Sequence, residues 1–159
     1  MLKALLKWPL ILLLSTALPA FGGPHPLPSH QAAEIESLVN RAAELLEERG
    51  RAAFQDFRKP GAGWRYGDVY LFVVDMQGIV LFNAVRPNRE GRDLLDERDA
   101  DGKRFHRDFV DTVRKFGSGW VDYMFPRPGQ PIVTIKWSYV CATRIDGVEA
   151  LVGAGVYVD

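Results

Sequence analysis

Lys136 stands inside a run of mostly apolar and small residues, Ile132 to Ile145. A strand alternates its faces, so Ile132, Thr134, Lys136 and Ser138 share one side. Burying a lysine there costs several kcal/mol unless an anion pairs with it. Three readings therefore stand: the lysine grips an anionic ligand, forms an internal salt bridge, or carries its head out to solvent on a long stem. Tyr123, in the neighbouring run Trp120 to Phe125, has a hydroxyl able to donate to a carboxylate while its ring packs; it reads equally well as a core aromatic. Trp120 and Tyr139 are secondary pocket candidates on the same grounds, with core packing as the commoner fate. Arg86, Arg89 and Arg92 lie in a polar stretch. A guanidinium fork suits a carboxylate, and Arg86 is nearest to the apolar runs; solvated loop charges are the alternative. The chemistry these residues share is anion binding, not bond making.

Other chemistry finds little support. Asp99-Ala100-Asp101-Gly102 begins like a calcium loop, but the fifth position is Lys103 and the twelfth is Val110, so the ligand set fails. An N-cap by Asp101 on the following helix is the better expectation. His25, His30 and His106 have no spacing suited to a catalytic triad, and no Gly-x-Ser-x-Gly elbow is present. Gly153-Ala154-Gly155 has no helix after it, which excludes a phosphate loop. Cys141 is the only cysteine. It permits no intramolecular disulfide and reads as a buried, inert thiol. No catalytic residue, metal site or cofactor is expected.

The elements that must position these residues follow from periodicity. Ile35, Leu38, Val39, Ala42, Leu45 and Leu46 mark a long amphipathic helix, with Ser29 as N-cap and Gly50 as a weak interruption. Phe54 and Phe57 carry the stripe on to Lys59-Pro60-Gly61. Val69–Asp75 and Ile79–Asn83 form a hairpin about Asp75-Met76-Gln77-Gly78. A long polar loop, Ala84 to Lys103, leads into a helix from Phe105 that Gly117-Ser118-Gly119 stops. Trp120–Phe125, Ile132–Ile145 and Val148–Val158 are then strands joined by tight turns, hence antiparallel. The result is an α+β layer fold.

The ends and totals bound the rest. Lys3 and Lys7, the apolar run Trp8 to Leu14, and the small residues up to Ala20-Phe21-Gly22 read as a signal peptide, residues 1–22, cut after Gly22 or, second, after Ala20. The alternative is an uncleaved anchor in the inner membrane, although the run is short of the roughly 20 apolar residues a span needs. Residues 23–31 read as a flexible leader and 32–159 as a single domain. Without Lys3 and Lys7 the chain has 18 basic against 20 acidic residues, a balance that attracts neither nucleic acid nor anionic lipid. A periplasmic or secreted product is expected.

Six segments in order resemble one family. Tyr70–Asp75 followed by Gly78, then Gly91, then Asp99-Ala100-Asp101-Gly102-Lys103, then Gly119-Trp120-Val121-Asp122-Tyr123, Lys136-Trp137-Ser138-Tyr139-Val140 and Gly153-Ala154-Gly155-Val156-Tyr157 resemble single Cache domains of type 2, the PAS-like extracellular sensor modules of bacterial chemoreceptors and kinases. The resemblance implies a PAS-like/Cache fold: a long N-terminal helix packed on a five-stranded antiparallel sheet, with a long loop and short helix between strands 2 and 3. It implies a binding module, not an enzyme, that closes the loop and short helix over a small organic acid and signals through a partner such as a membrane receptor or kinase ectodomain. Tyr123 and Lys136 would grip the ligand, with Trp120, Tyr139, Arg86 and Asn83 around them. Two positions depart from the family pattern: Asn83-Ala84 replaces His-Pro, and Phe125 replaces a Trp. The ligand then differs from the usual one, or the fold is kept as a structural or interaction module without a working pocket.

Overall fold

The apolar stripe from Ala32 to Leu46 is continuous at helical spacing, and it buries as one face of α1, Ser29–Arg49. A computed structural model describes residues 25–158; the expected signal peptide lies outside them. Ser29 is the first helical residue, not the N-cap. Pro28 takes that place and no side chain caps the helix. The expected leader is thus helical from Ser29, and Leu27 packs against the core.

Gly50 ends α1 with φ at +57°, in the region that favours glycine. A Cβ there would meet only the exposed carboxylate of Asp146, which can turn aside, so it is the backbone conformation that calls for glycine. After a single 3₁₀ turn, Gly50–Ala52, α2 (Ala53–Arg58) carries Phe54 and Phe57 onto the same core. The break sharpens what the sequence suggested as a weak interruption.

The expected strand Val69–Asp75 divides at Leu71. β1 (Arg65–Tyr66) and β2 (Val69–Tyr70) form a small ribbon, and β3 (Phe72–Asp75) enters the main sheet. With β4 (Val80–Asn83), β5 (Ser118–Pro126), β6 (Val133–Ile145) and β7 (Val148–Val158), the sheet has the order β4-β3-β7-β6-β5, antiparallel throughout. A bulge shifts the β3–β4 register between Val73 and Val74: Val73 faces Phe82, and Val74 faces Val80. One extra residue in β4 lets Phe82 join the core beneath α1 while Val80 joins the opposite one.

Strand alternation divides the molecule into two cores. Val73, Tyr139, Val152, Ala154 and Val156 pack under α1. There Thr143 Oγ1 donates to the Ala43 carbonyl at 3.0 Å, and Cys141 is half-buried, its thiol pKa pushed up by burial. Phe72, Val74, Val121, Tyr123, Phe125 and Leu151 face the other way, toward α3 (Phe105–Phe116), which buries Phe105, Phe109, Val110 and Val113 against them.

The long loop is tied down. Gly91 N donates to Val80 O at 2.8 Å, Val80 N to Arg92 O at 3.0 Å and Leu94 N to Gly78 O at 3.0 Å. The loop thereby covers the outer edge of β4. The edge of β5 is covered by Asp99–Lys103. Asp99 Oδ2 accepts from Met124 N at 2.8 Å, and its Oδ1 accepts from Asp101 N and Lys103 N at 3.0 and 2.8 Å. The Lys103 ammonium donates to the Asp122 carbonyl and carboxylate. Asp99, not Asp101, is therefore the organising carboxylate, and Arg104 precedes α3 without a side-chain cap.

Candidate functional site

β5, β6 and β7 set three side chains abreast: Tyr123 is the register partner of Lys136, and Lys136 of Tyr157. All three point to the α3 side of the sheet. Lys136 is fully buried, at 0% exposure. Its Nζ lies 3.9 Å from the centroid of the Tyr70 ring, 5.1 Å from Tyr157, and 5.7 Å from each of Phe72 and Phe125. It makes no hydrogen bond with any described residue. Neither the internal salt bridge nor the solvated head describes it. Burial pulls the Lys136 pKa down; Tyr70 opposes that, and Arg86 and Arg89 reinforce it. Cation–π contact with a ring is worth about 2 kcal/mol when desolvated, less than the several kcal/mol that burying a charge costs. Burial therefore wins.

A narrow, half-open cavity adjoins this group. Tyr70, Phe72, Val80, Asn83, Phe109 and Tyr123 line it with Arg89, Phe105, His106, Phe125 and Val74, and its free volume for the centre of a water molecule is about 20 Å³. That is room for a water, which needs roughly 10–15 Å³ on this measure, but not for an organic acid. Its walls are aromatic. Phe105 stacks on Tyr123 at 4.5 Å with the rings 4° apart, and Phe109 stacks on Phe72 at 5.3 Å. The Tyr123 hydroxyl shares a hydrogen bond of 3.1 Å with Ser138 Oγ, and burial pushes its pKa upward. Gly153 and Gly155 of β7 lie on the same face of the sheet. A Cβ on Gly153 would lie 2.4 Å from the Phe72 ring, and one on Gly155 would lie 2.2 Å from the Trp137 carbonyl. The closing Gly-x-Gly thus serves close packing.

The loop brings two guanidinium groups to the same place. Asn83 Oδ1 accepts from Val85 N and Arg86 N at 3.2 and 2.8 Å, an Asx turn that fixes how the chain leaves β4. Arg86 then donates to the Pro126 carbonyl at 3.0 Å and lies over the Phe125 ring, and its Nε is buried with no partner. No ion pair engages Arg86 among the described residues. Arg89 forms a forked pair with Glu97, whose carboxylate lies 3.5 Å from His106 Nδ1. Burial, then Arg89, hold the His106 pKa down to about 4, against the pull of Glu97. Arg89 is thus paired with Glu97, and Glu90, which accepts from Asn83 N, is paired with Arg58, while Lys136 and Arg86 have no carboxylate partner among the described residues.

Of the six residues singled out in the sequence, Tyr123, Lys136, Asn83 and Arg86 converge here. Trp120 and Tyr139 do not. They lie on the α1 face, 5.5 Å apart, with Trp120 Nε1 donating to Glu36 at 2.8 Å. Even-numbered positions of β5 face α1 and odd ones face α3, so Trp120 and Tyr123 cannot share a pocket. Arg92 is exposed. Arg89, weighed in the sequence with Arg86 and Arg92, does line the cavity; Tyr70, Glu97, Phe105, His106 and Tyr157 are members that the sequence reading did not single out. Parity with Lys136 across β6 and β7 was a usable signal for Tyr157; the rest come from loops and α3.

A Cache domain family model matches residues 29–159. This chain belongs to the Cache family. The Cache domain is 33% identical to a solved "Periplasmic sensor domain of chemotaxis protein", with a TM-score of 0.72 over 85% of this chain and 100% of that one. It is 26% identical, with a TM-score of 0.69 over 82% and 95% of the two chains, to a structure described as "Structural basis for carboxylic acid recognition by a Cache chemosensory domain". Among curated proteins it is 33% identical to the sensor histidine kinase MctS of Rhizobium johnstonii over 80% of this chain, and 30% identical to the methyl-accepting chemotaxis protein McpP of Pseudomonas putida over 58%. The matched segments are only 29% and 16% of those two proteins. Among the described residues no helix is long and apolar enough to cross a membrane.

Proposed function

We propose that this Cache domain is an exported sensor module that binds a small carboxylate between β6, α3 and the loop after β4, and passes the event to a signalling partner without catalysis. The observation that carries it is Lys136: a fully buried amine without a hydrogen-bonding partner among the described residues, near Arg86, which has no ion-pair partner among them. An anion bound there would satisfy both groups. Lys136 would supply a point charge, Arg86 its fork, and the rings around them would take a short alkyl chain. The similarity to a domain described as recognising carboxylic acids points the same way. A membrane kinase or chemoreceptor is the class of partner that the curated relatives suggest.

Thermal shift of the mature chain against short mono- and dicarboxylic acids and amino acids tests the reading. A binder at 100 times its Kd adds about 2.7 kcal/mol, which is several degrees for a domain of this size. Lys136→Met should fold, since it exchanges a buried amine for an apolar chain of similar length, and should lose the shift. Stabilisation of Lys136→Met equal to that of the parent would sink the proposal. For export, N-terminal sequencing of the protein from the periplasm should read Gly23 first, or Phe21 for the second cleavage site; Met1 would mean a retained segment.

One observation favours a second reading, in which the fold persists as an interaction module. The cavity's free volume of about 20 Å³ is far below that of any organic acid. Under the sensor reading, the loop bearing Arg86 and Arg89 must move outward on binding. Failure of every acid to shift the melting of the parent chain would leave the interaction module standing.

A further inference from the structure

Lys136 Nζ meets Tyr70 on β2, Tyr157 on β7 and Phe72 and Phe125 on β3 and β5, with no hydrogen-bonding partner among the described residues. The charged and titratable groups around it are few. Tyr123 on β5 bonds to Ser138. Tyr157 donates to the Pro126 carbonyl and lies under Arg127, which pairs with Asp68. Arg89 lines the cavity from the loop, with Glu97 engaged by it, and His106 lines it from α3, while Arg86 lies over the Phe125 ring, near enough to Lys136 to lower its pKa. Every uncompensated charge near Nζ is therefore positive. An ammonium in that setting is disfavoured until an anion arrives.

We propose that a carboxylate enters this pocket together with a proton: without an anion the Tyr70–Lys136 pair is one proton short of phenol plus ammonium, and docking of the carboxylate draws that proton from solvent onto the pair. This inference rests on the reading of the site as a carboxylate pocket. The balance is simple. One carboxylate and one proton go in, nothing leaves, and the bound state is phenol, ammonium and carboxylate. Tyr123 and Tyr157 take no part, because burial drives their pKa values upward and keeps them protonated. His106 stays neutral, held down to about 4. The consequence is regulation by pH: occupancy at a fixed concentration of acid falls as the surroundings turn alkaline, in a range where the ligand itself remains fully ionised.

The test is calorimetry of the mature chain with sodium propionate at pH 9, in two buffers of different ionisation enthalpy. The expected result is uptake approaching one proton per propionate, with affinity falling toward tenfold for each further pH unit. Binding whose heat is the same in both buffers overturns the coupling and leaves the carboxylate reading intact. No binding of propionate at any pH takes down both. A second measurement needs no ligand. The melting temperatures of the parent chain and Lys136→Met are compared from pH 7 to pH 9.5. A lysine held below its usual pKa makes the folded state bind fewer protons than the unfolded one, so the parent chain gains stability as pH rises through that interval. The advantage of Lys136→Met should shrink steadily; a constant difference across the range overturns the proposal.

Discussion

Single side chains in this pocket are set by the dryness around them. His106 is the clearest case. It is buried against Phe105 and Phe109 with Arg89 close by, and its pKa falls to about 4 from an ordinary value near 6.5. The unfolded chain therefore binds more protons than the folded one between those two values, and stability is lost as pH falls through them. The loss on going from pH 7.5 to pH 4.5 should be about 2–3 kcal/mol. Urea titrations at both values measure it, and His106→Gln should flatten the difference; an unchanged difference would place the acid sensitivity elsewhere. Lysine at position 136 was legible from sequence because an ionisable residue interrupts an apolar strand. Its exclusion from any salt bridge was not legible, since that depends on what the loop and α3 bring to it.

Elements show where short motifs act. Asp99 and Lys103 close the free edge of β5, and Gly153 and Gly155 let β7 pass beneath Phe72 and beside Ser138. Gly155→Ala should destabilise the fold by about 1–3 kcal/mol, the usual range for an overpacked core. Asp99→Ala should cost about 1–2 kcal/mol, because it releases Met124 N from its acceptor, and should speed hydrogen exchange at the Met124 amide more than at that of Leu38 in the opposite core. Unaltered exchange at Met124 would remove Asp99 from the edge. The order of strands and the two helices were readable from periodicity. The division of Val69–Asp75 at Leu71, and the bulge in β4, were not: both answer to pairing partners distant in sequence.

For the whole molecule, the sheet acts as a partition. α1 packs on one face and the candidate site occupies the other, with separate apolar cores. A substitution behind the partition should weaken the fold without altering the site. Leu38→Ala is expected to cost about 2–5 kcal/mol yet leave the affinity for a bound acid within about twofold. Phe109→Ala should cost a similar amount and change affinity as well, since Phe109 lines the cavity. Denaturant titration and calorimetry on the two variants decide it; equal loss of affinity in both would mean that the faces are coupled.

Local pattern was enough to settle the class of the molecule. Its periodicities specify a helix, a hairpin, a second helix and three antiparallel strands, because burial of alternate or every third and fourth residue is a local property. Its ordered motifs specify the Cache family, and one lysine in an apolar strand marks the site. Which residues join that lysine depends on the folded arrangement. Strand parity sent Trp120 and Tyr139 to the α1 face, the loop delivered Arg86 and Arg89, and α3 delivered Phe105 and His106. Those residues meet across long stretches of chain, and what joins them is packing against a shared sheet face, which no local pattern records.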